Sequence, residues 1–316
     1  MANSYIPRLK ALSEREGDGI RITHCGMGGI QLYDLVYIVD DLLDQQASDW
    51  VVFEVATSSA RNLYYKDAAA DRHSVRLIVD HVRALIAACR RRGRQVAFVD
   101  LPRRDIFVEQ DLLESVIARV CSHENVPHMS LSFDSYVTDY PLAIIMNDGV
   151  HPNTAGAEYY ASAIHRFIKA RLQTQAELTS YAPRRFSSMK APPLMPGAAT
   201  TSFARHGFRE LHAPLRGGEP VTLDLGQTVR LKGLSVLTGP RASMLNIEAG
   251  GQSVDFDCYD EFCYYFRLKM LSTLDIVTSR LTLTLGADLP DIKLFKGEPD
   301  LSSREIGLFN VLYEPV

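Results

Sequence analysis

Long apolar runs are missing from this chain. No stretch of about 18 apolar residues occurs, so no segment is suited to cross a bilayer as a helix. An excess of basic charge is missing too: Lys and Arg total 34 against 38 Asp and Glu, and the net charge is −4. That balance excludes the electrostatic footprint of a nucleic-acid binder. The one dense basic run, Arg90-Arg91-Arg92 with Arg94, sits where a helix ends at Gly93, and there the macrodipole favours cations. Cysteines are few and odd in number, at 25, 89, 121, 258 and 263, without metal-ligand spacing. They read as reduced, mostly buried thiols, which places the chain in the cytoplasm. The first residues lack the basic-then-apolar pattern of a signal peptide. His24, His123, His128 and His151 are dispersed, so neither a metal nor a cofactor is expected.

What is present divides by texture. A chain of 316 residues is long enough for two domains. Residues 1–173 alternate short β-branched runs with longer amphipathic ones. Strands are expected at Ile20–Cys25, Trp50–Val55, Gln95–Leu101 and near Val126–Leu131. Helices are expected around Leu32–Leu43, Val75–Cys89, 110–121 and 154–172. This order predicts an α/β domain with a parallel sheet, helices on both faces, and ligands beyond the carboxyl ends of the strands. Residues 174–202 are rich in Pro, Ser and Thr without periodicity and read as a linker. From 203 to 316 the period becomes two, in short runs such as Leu231–Leu237, Met244–Ala249, Phe262–Leu268, Ile292–Phe295 and Ile306–Tyr313. This predicts an all-β sandwich of jelly-roll type.

One string carries chemistry: Asp148-Gly-Val-His151-Pro-Asn153-Thr-Ala-Gly156. It sets a carboxylate and an imidazole three residues apart, on a loop that the Asn/Thr pair turns into a helix start. A carboxylate can fix the tautomer of a His so that the His serves as general base. A plain Asp-Gly turn with a surface His would use the same tripeptide, but the full string is more specific. In this α/β order the chain resembles the SGNH/GDSL hydrolases, a flavodoxin-like family of esterases, carbohydrate acetylesterases, lipases and acyltransferases. The resemblance covers residues 1–173 and implies His151 as base and Asp148 as its orienter. It implies a backbone N–H of Gly28, with Gly29 the alternative, as oxyanion donor, in the run Ile22-Thr-His-Cys-Gly-Met-Gly28-Gly29. Ile30 stands where the family has Ser or Thr.

Two blocks depart from the family pattern. The string Gly17-Asp18-Gly19 has no serine and precedes a strand, so it reads as a turn. The run Asn3-Ser-Tyr-Ile-Pro-Arg-Leu9 looks like the start of the helix that follows the nucleophile, which leaves Ser4 as the candidate serine or sets the nucleophile strand upstream of Met1. In the third block Ser58 stands where the family has an oxyanion-binding Asn; Thr57–Ser59 could equally cap a helical turn. Cys25 reads as a buried structural thiol. The resemblance thus implies an ester hydrolase or O-acyltransferase whose partner is an acylated sugar or glycan. The alternatives are a catalytically degenerate glycan-binding or scaffold protein, and an enzyme chain cut before its nucleophile. Within the β-domain, Asp255–Phe266 is dense in acids and aromatics. It reads either as a sugar platform or calcium site, or as a turn whose aromatics fill the core.

Overall fold

The structure is a computed structural model that describes residues 4–27, 29–59, 71–102, 107–132, 144–171 and 185–316. Contacts divide the chain into two compact units, Met1–Leu35 with Val39–Pro183, and Val36–Ile38 with Arg184–Val316. The fold class is the expected one: a parallel sheet with helices, followed by a large antiparallel unit.

The first unit runs α1 (Tyr5–Glu16), α2 (Leu32–Gln45), β1 (Trp50–Phe53), α3 (Ala56–Ser59), α4 (Asp71–Arg91), β2 (Gln95–Asp100), α5 (Phe107–His123), β3 (His128–Ser130) and α6 (Thr154–Arg171). Its sheet has the order β1-β2-β3, all parallel, with Trp50 opposite Gln95 and Phe98 opposite His128. Val96–Val99 are all buried, as a strand covered on both faces requires. Val99 and Leu101 pack with Leu9 of α1 and with Tyr160, Ala161 and Ile164 of α6. In α4, Ile78, Val82, Leu85, Ile86 and Cys89 fall on the buried face that their spacing predicts. The basic run at its end is a helix terminus: Arg91 and Arg92 pair with Asp40, Arg92 also with Asp44, and Gly93 takes a positive φ of 66°.

One expected strand is absent. Ile20–Cys25 joins no ladder, because residues 5–16 form a helix and place no strand beside it. Alternation gives a segment the capacity to pair, and a strand exists only where a neighbour accepts its backbone groups.

The second unit comprises β4 (Ser187–Lys190), α7 (Ala191–Leu194), β5 (Thr201–Arg205), β6 (Phe208–Arg216), β7 (Pro220–Thr238), β8 (Met244–Ala249), β9 (Gln252–Asp257), β10 (Arg267–Leu271), β11 (Ile276–Leu285) and β12 (Glu305–Pro315). Its sheet has the order β5-β6-β12-β7-β11-β8-β9, with β10 also on β7 and β4 also on β12. The long β7 serves β11 with its first half and β12 and β10 with its second, so the sheet closes over one apolar core. Part of the stretch expected as linker is structured: β4 pairs with β12, and Phe186, Ala191 and Met195 are buried. Residues 172–184 lie outside the described ones. Two expected strands fail. Residues 261–265 form a turn, so a strand begins only at Arg267, and 292–295 is irregular. Phe262, Phe266 and Phe295 face solvent while Tyr264 packs against the core, so no period-two burial favours a strand in either place.

Candidate active site

The loop before α6 is fastened to the helix it precedes. Asn153 caps α6: its Oδ1 accepts from Gly156 N–H at 3.0 Å, and its own N–H donates to the Ile145 carbonyl at 2.8 Å. Its Nδ2 donates to the Ile144 carbonyl at 2.6 Å. Asn147 N–H donates to the His151 carbonyl at 2.9 Å, and Met146 bridges Pro152. Ile145 and Met146 are buried and anchor the loop. Gly156 is required by space: a Cβ there would lie 2.0 Å from the Ile145 carbonyl oxygen.

At the tip of this loop sit Asp148 and His151. Asp148 Oδ1 accepts the N–H groups of Val150 and His151, each at 2.7 Å, and Oδ2 lies 2.9 Å from His151 Nδ1. The backbone N–H of His151, then that of Val150 and the His151 ring, hold the Asp148 carboxyl down at about 2. A permanent carboxylate at Nδ1 selects the tautomer with the proton there and leaves the Nε2 lone pair outward. The His151 side chain is 76% exposed and that of Asp148 57%, so the dyad is accessible to a solute. Among the described residues, Asp148 is the hydrogen-bond partner of the ring. The arrangement can take a proton from a hydroxyl.

Among the described residues, no hydrogen bond joins Ser4 or Gly29 to this dyad. Gly28 lies outside the described residues, as does the side chain of Ser58, whose backbone belongs to α3. Gly29 has a φ of +81° in a turn where Ile30 N–H reaches the Met27 carbonyl. In the same block as Ser58, Thr57 donates to Glu54 Oε1 through N–H at 3.2 Å and hydroxyl at 2.7 Å. Ser4 stands at the N-cap of α1 with no side-chain cap bond. Helices α1 and α6 run parallel, with Tyr5 edge-on to Tyr160 at 6.1 Å and Glu16 paired to Lys169 at 2.6 Å. That register sets Ser4 level with residues 159–160, about 8 Å along the axis from Thr154 at 1.5 Å per residue. Cys25 is half-buried, and burial pushes its thiol up, which suits a structural role.

Two further polar groups escaped sequence reading because their members are far apart in the chain. Asp18, in the Gly17–Gly19 turn, accepts from Ser13 Oγ at 2.7 Å and Ile20 N–H at 3.0 Å, and meets His165 Nε2 at 2.6 Å. Glu16, Asp18 and His165 could offer atoms within 4.8 Å of one another to a metal ion. Glu16 already pairs with Lys169, and Asp18 is filled by three donors, so the group serves as a clasp between α1 and α6. Ser13 donates to the carboxylate and not to the imidazole, so this trio is no nucleophile–base pair. At the carboxyl end of β2, buried Asp100 lies 2.6 Å from His128 Nε2. Burial raises the Asp100 carboxyl, and His128 opposes that rise. No described helix is long and apolar enough to cross a membrane, and all five cysteines are free.

No family model matches this chain, and no curated protein does. Solved structures do. A two-domain esterase active on acetylated mannans matches with a TM-score of 0.60 and 17% identity, covering 92% of this chain and 80% of its own. This chain has its fold. An alpha/beta hydrolase enzyme from the metagenome of Lake Arreo, Spain, matches with a TM-score of 0.45 and 19% identity over 56% of this chain and 84% of its own. An acetylxylan esterase from Geobacillus stearothermophilus matches with 0.43 and 16%, over 57% and 84%.

Proposed function

We propose that the first unit cleaves acyl esters on a carbohydrate, with His151 as general base and Asp148 as its orienter. One observation carries the reading: the Asp148 carboxylate lies 2.9 Å from Nδ1 of an imidazole whose side chain is largely exposed. Acyl transfer to a hydroxyl needs that division of labour at the imidazole. A nucleophilic oxygen gives its proton to Nε2 and attacks the ester carbon; the sugar leaves as an alcohol, taking the proton back. Water then releases the acyl group as a carboxylic acid, or a sugar hydroxyl accepts it. A backbone N–H of Gly28 or Gly29 and the hydroxyl of Ser58 are the proposed oxyanion donors. The carbohydrate direction is supported by the activity of the two-domain neighbour on acetylated mannans, since that protein shares both units.

Ser4 is the serine that the sequence offers as nucleophile, and its register on α1 favours a second reading, in which the dyad binds an acylated sugar without turnover. Acetate release from acetylated glucomannan, and p-nitrophenyl acetate hydrolysis, by wild type, His151→Ala and Ser4→Ala separate these. Release that depends on His151 supports the enzyme; equal rates in wild type and His151→Ala refute the mechanism. A Ser4→Ala variant as fast as wild type excludes Ser4. Mass spectrometry after fluorophosphonate labelling then identifies the serine that acts.

A further inference from the structure

The segment Asp255–Phe266 admits two readings from sequence, and the structure divides its aromatics between them. Cys258, Tyr259 and Cys263 are fully buried and fill the core. Phe262 does not: it is 41% exposed, and Phe295, reached from the buried Leu294, is 67% exposed. The two rings stand 6.3 Å apart with planes inclined at 38°. Isolated exposed apolar residues are ordinary, but two neighbouring phenyl rings on a fixed support form a patch that calls for an occupant.

The support is rigid. Phe262 N–H donates to Asp260 Oδ1 at 3.0 Å and Cys263 N–H to the Asp260 carbonyl at 2.9 Å. Phe295 N–H donates to the Glu261 carbonyl at 2.8 Å, which ties the second ring's loop to the first. Asp260 Oδ2 holds Arg267 and Lys269. A cation stands over one face of each ring: the Arg267 guanidinium lies 5.8 Å from the Phe262 centroid, and the Lys296 ammonium 5.8 Å from that of Phe295.

A ligand for this surface must offer a flat C–H face to the ring faces opposite these cations and hydroxyls to the neighbouring charges. The negative face of a phenyl ring attracts the slightly positive C–H bonds of a pyranose. Asp257, Asp260 and Glu261 balance Arg267, Lys269 and Lys296, so the patch has no cationic excess to select a polyanion. We propose that Phe262 and Phe295 form a stacking platform for the pyranose rings of a neutral polysaccharide. The platform lies wholly in the second unit and does not depend on what His151 does.

Native electrophoresis of the full chain through gels containing acetylated glucomannan, xylan or alginate tests this. Wild type and His151→Ala are both expected to be retarded by a neutral polysaccharide. The double variant Phe262→Ala, Phe295→Ala is expected to bind at least tenfold more weakly. A Phe262→Tyr, Phe295→Tyr variant keeps the stacking faces and is expected to retain binding, which separates lost stacking from a disturbed fold. The proposal is overturned by retardation in alginate alone, by none in either neutral gel, or by retardation undiminished in the double alanine variant. A dimer in sedimentation velocity that the alanine variant abolishes, without retardation by glycan, would assign the rings to a second copy and also overturn it.

Discussion

Replacing Gly156 by Ala puts the supporting loop to a test whose sign is diagnostic. Gly156 lies in the first turn of α6, and in a helix Ala is more favourable than Gly by about 1 kcal/mol. Propensity alone therefore predicts a more stable protein. The structure predicts the reverse, because the new methyl would meet the Ile145 carbonyl oxygen at 2.0 Å and its carbonyl carbon at 3.0 Å. Those atoms are backbone, so relief requires the loop to move by more than 1 Å, judged against an ordinary contact distance of about 3.5 Å. Overpacking of this kind costs about 1–3 kcal/mol. The shift also strains the bond from Asn153 N–H to Ile145 O, worth about 1 kcal/mol. Offset by the propensity gain, the net cost is about 1–3 kcal/mol, or roughly 2–12 °C in the transition of the first unit. Circular dichroism melts of wild type and Gly156→Ala measure it. Ester hydrolysis should fall as well, since the loop carries Asp148 and His151. A melting temperature equal to or above that of wild type would refute the clamp.

Other outcomes follow from the same geometry. His151→Ala should abolish ester cleavage yet change stability by less than about 0.5 kcal/mol, because the ring is exposed; a large loss on denaturant titration would make His151 structural. Asp148→Asn should lower kcat by about 10²–10⁴ while leaving the loop folded, since an amide no longer selects the tautomer; an unchanged kcat removes Asp148 from the mechanism. Asp148 has a depressed pKa in the folded state, so its contribution to stability is present above the ordinary carboxylate range and is lost as pH falls toward about 2. The stability difference between wild type and Asp148→Asn should thus stay level from pH 5 upward and shrink below pH 4, and a difference already shrinking at pH 6 would contradict it. His128→Ala should cost about 1–3 kcal/mol by removing the hydrogen-bond partner of the buried Asp100 carboxyl; a melt unchanged within 1 °C would show that Asp100 needs no partner.

What could be read in the sequence follows the range of the interactions. Helices α2, α4 and α6 were legible because their apolar stripes recur within one turn. β1 and β2 were legible because a strand covered on both faces reads as an unbroken apolar run. The Asp148–His151 contact closes over three residues and could be read directly. The clasp of Asp18 with His165 spans 147 residues, and the pair Asp100–His128 spans 28 across two strands, so neither leaves a local mark. The failure at Ile20–Cys25 has the same origin: its alternation was real, but a ladder is a property of two segments. In the second unit, two readings of Asp255–Phe266 stay open in the sequence, and only the fold shows that Tyr259 is buried while Phe262 and Phe295 face outward.

The exposure of the dyad bears on what kind of substrate can use it. In water an ion pair or charge-assisted hydrogen bond is screened, and an exposed pair contributes only about 0–1 kcal/mol. The bond from His151 to the Asp148 carboxylate is therefore weak as an orienting force while the loop is bare. The two backbone N–H groups that grip Asp148 hold the carboxylate in place without help from the imidazole, so the acceptor waits in position even when the ring turns away. Covering the ring with a large ligand lowers the local dielectric and strengthens the bond at the moment when the proton must move. A small soluble ester leaves most of the imidazole wet, whereas an acylated glycan can cover it. On the proposed mechanism, an ester large enough to cover the ring would therefore use the dyad better than a small one, on electrostatic grounds alone.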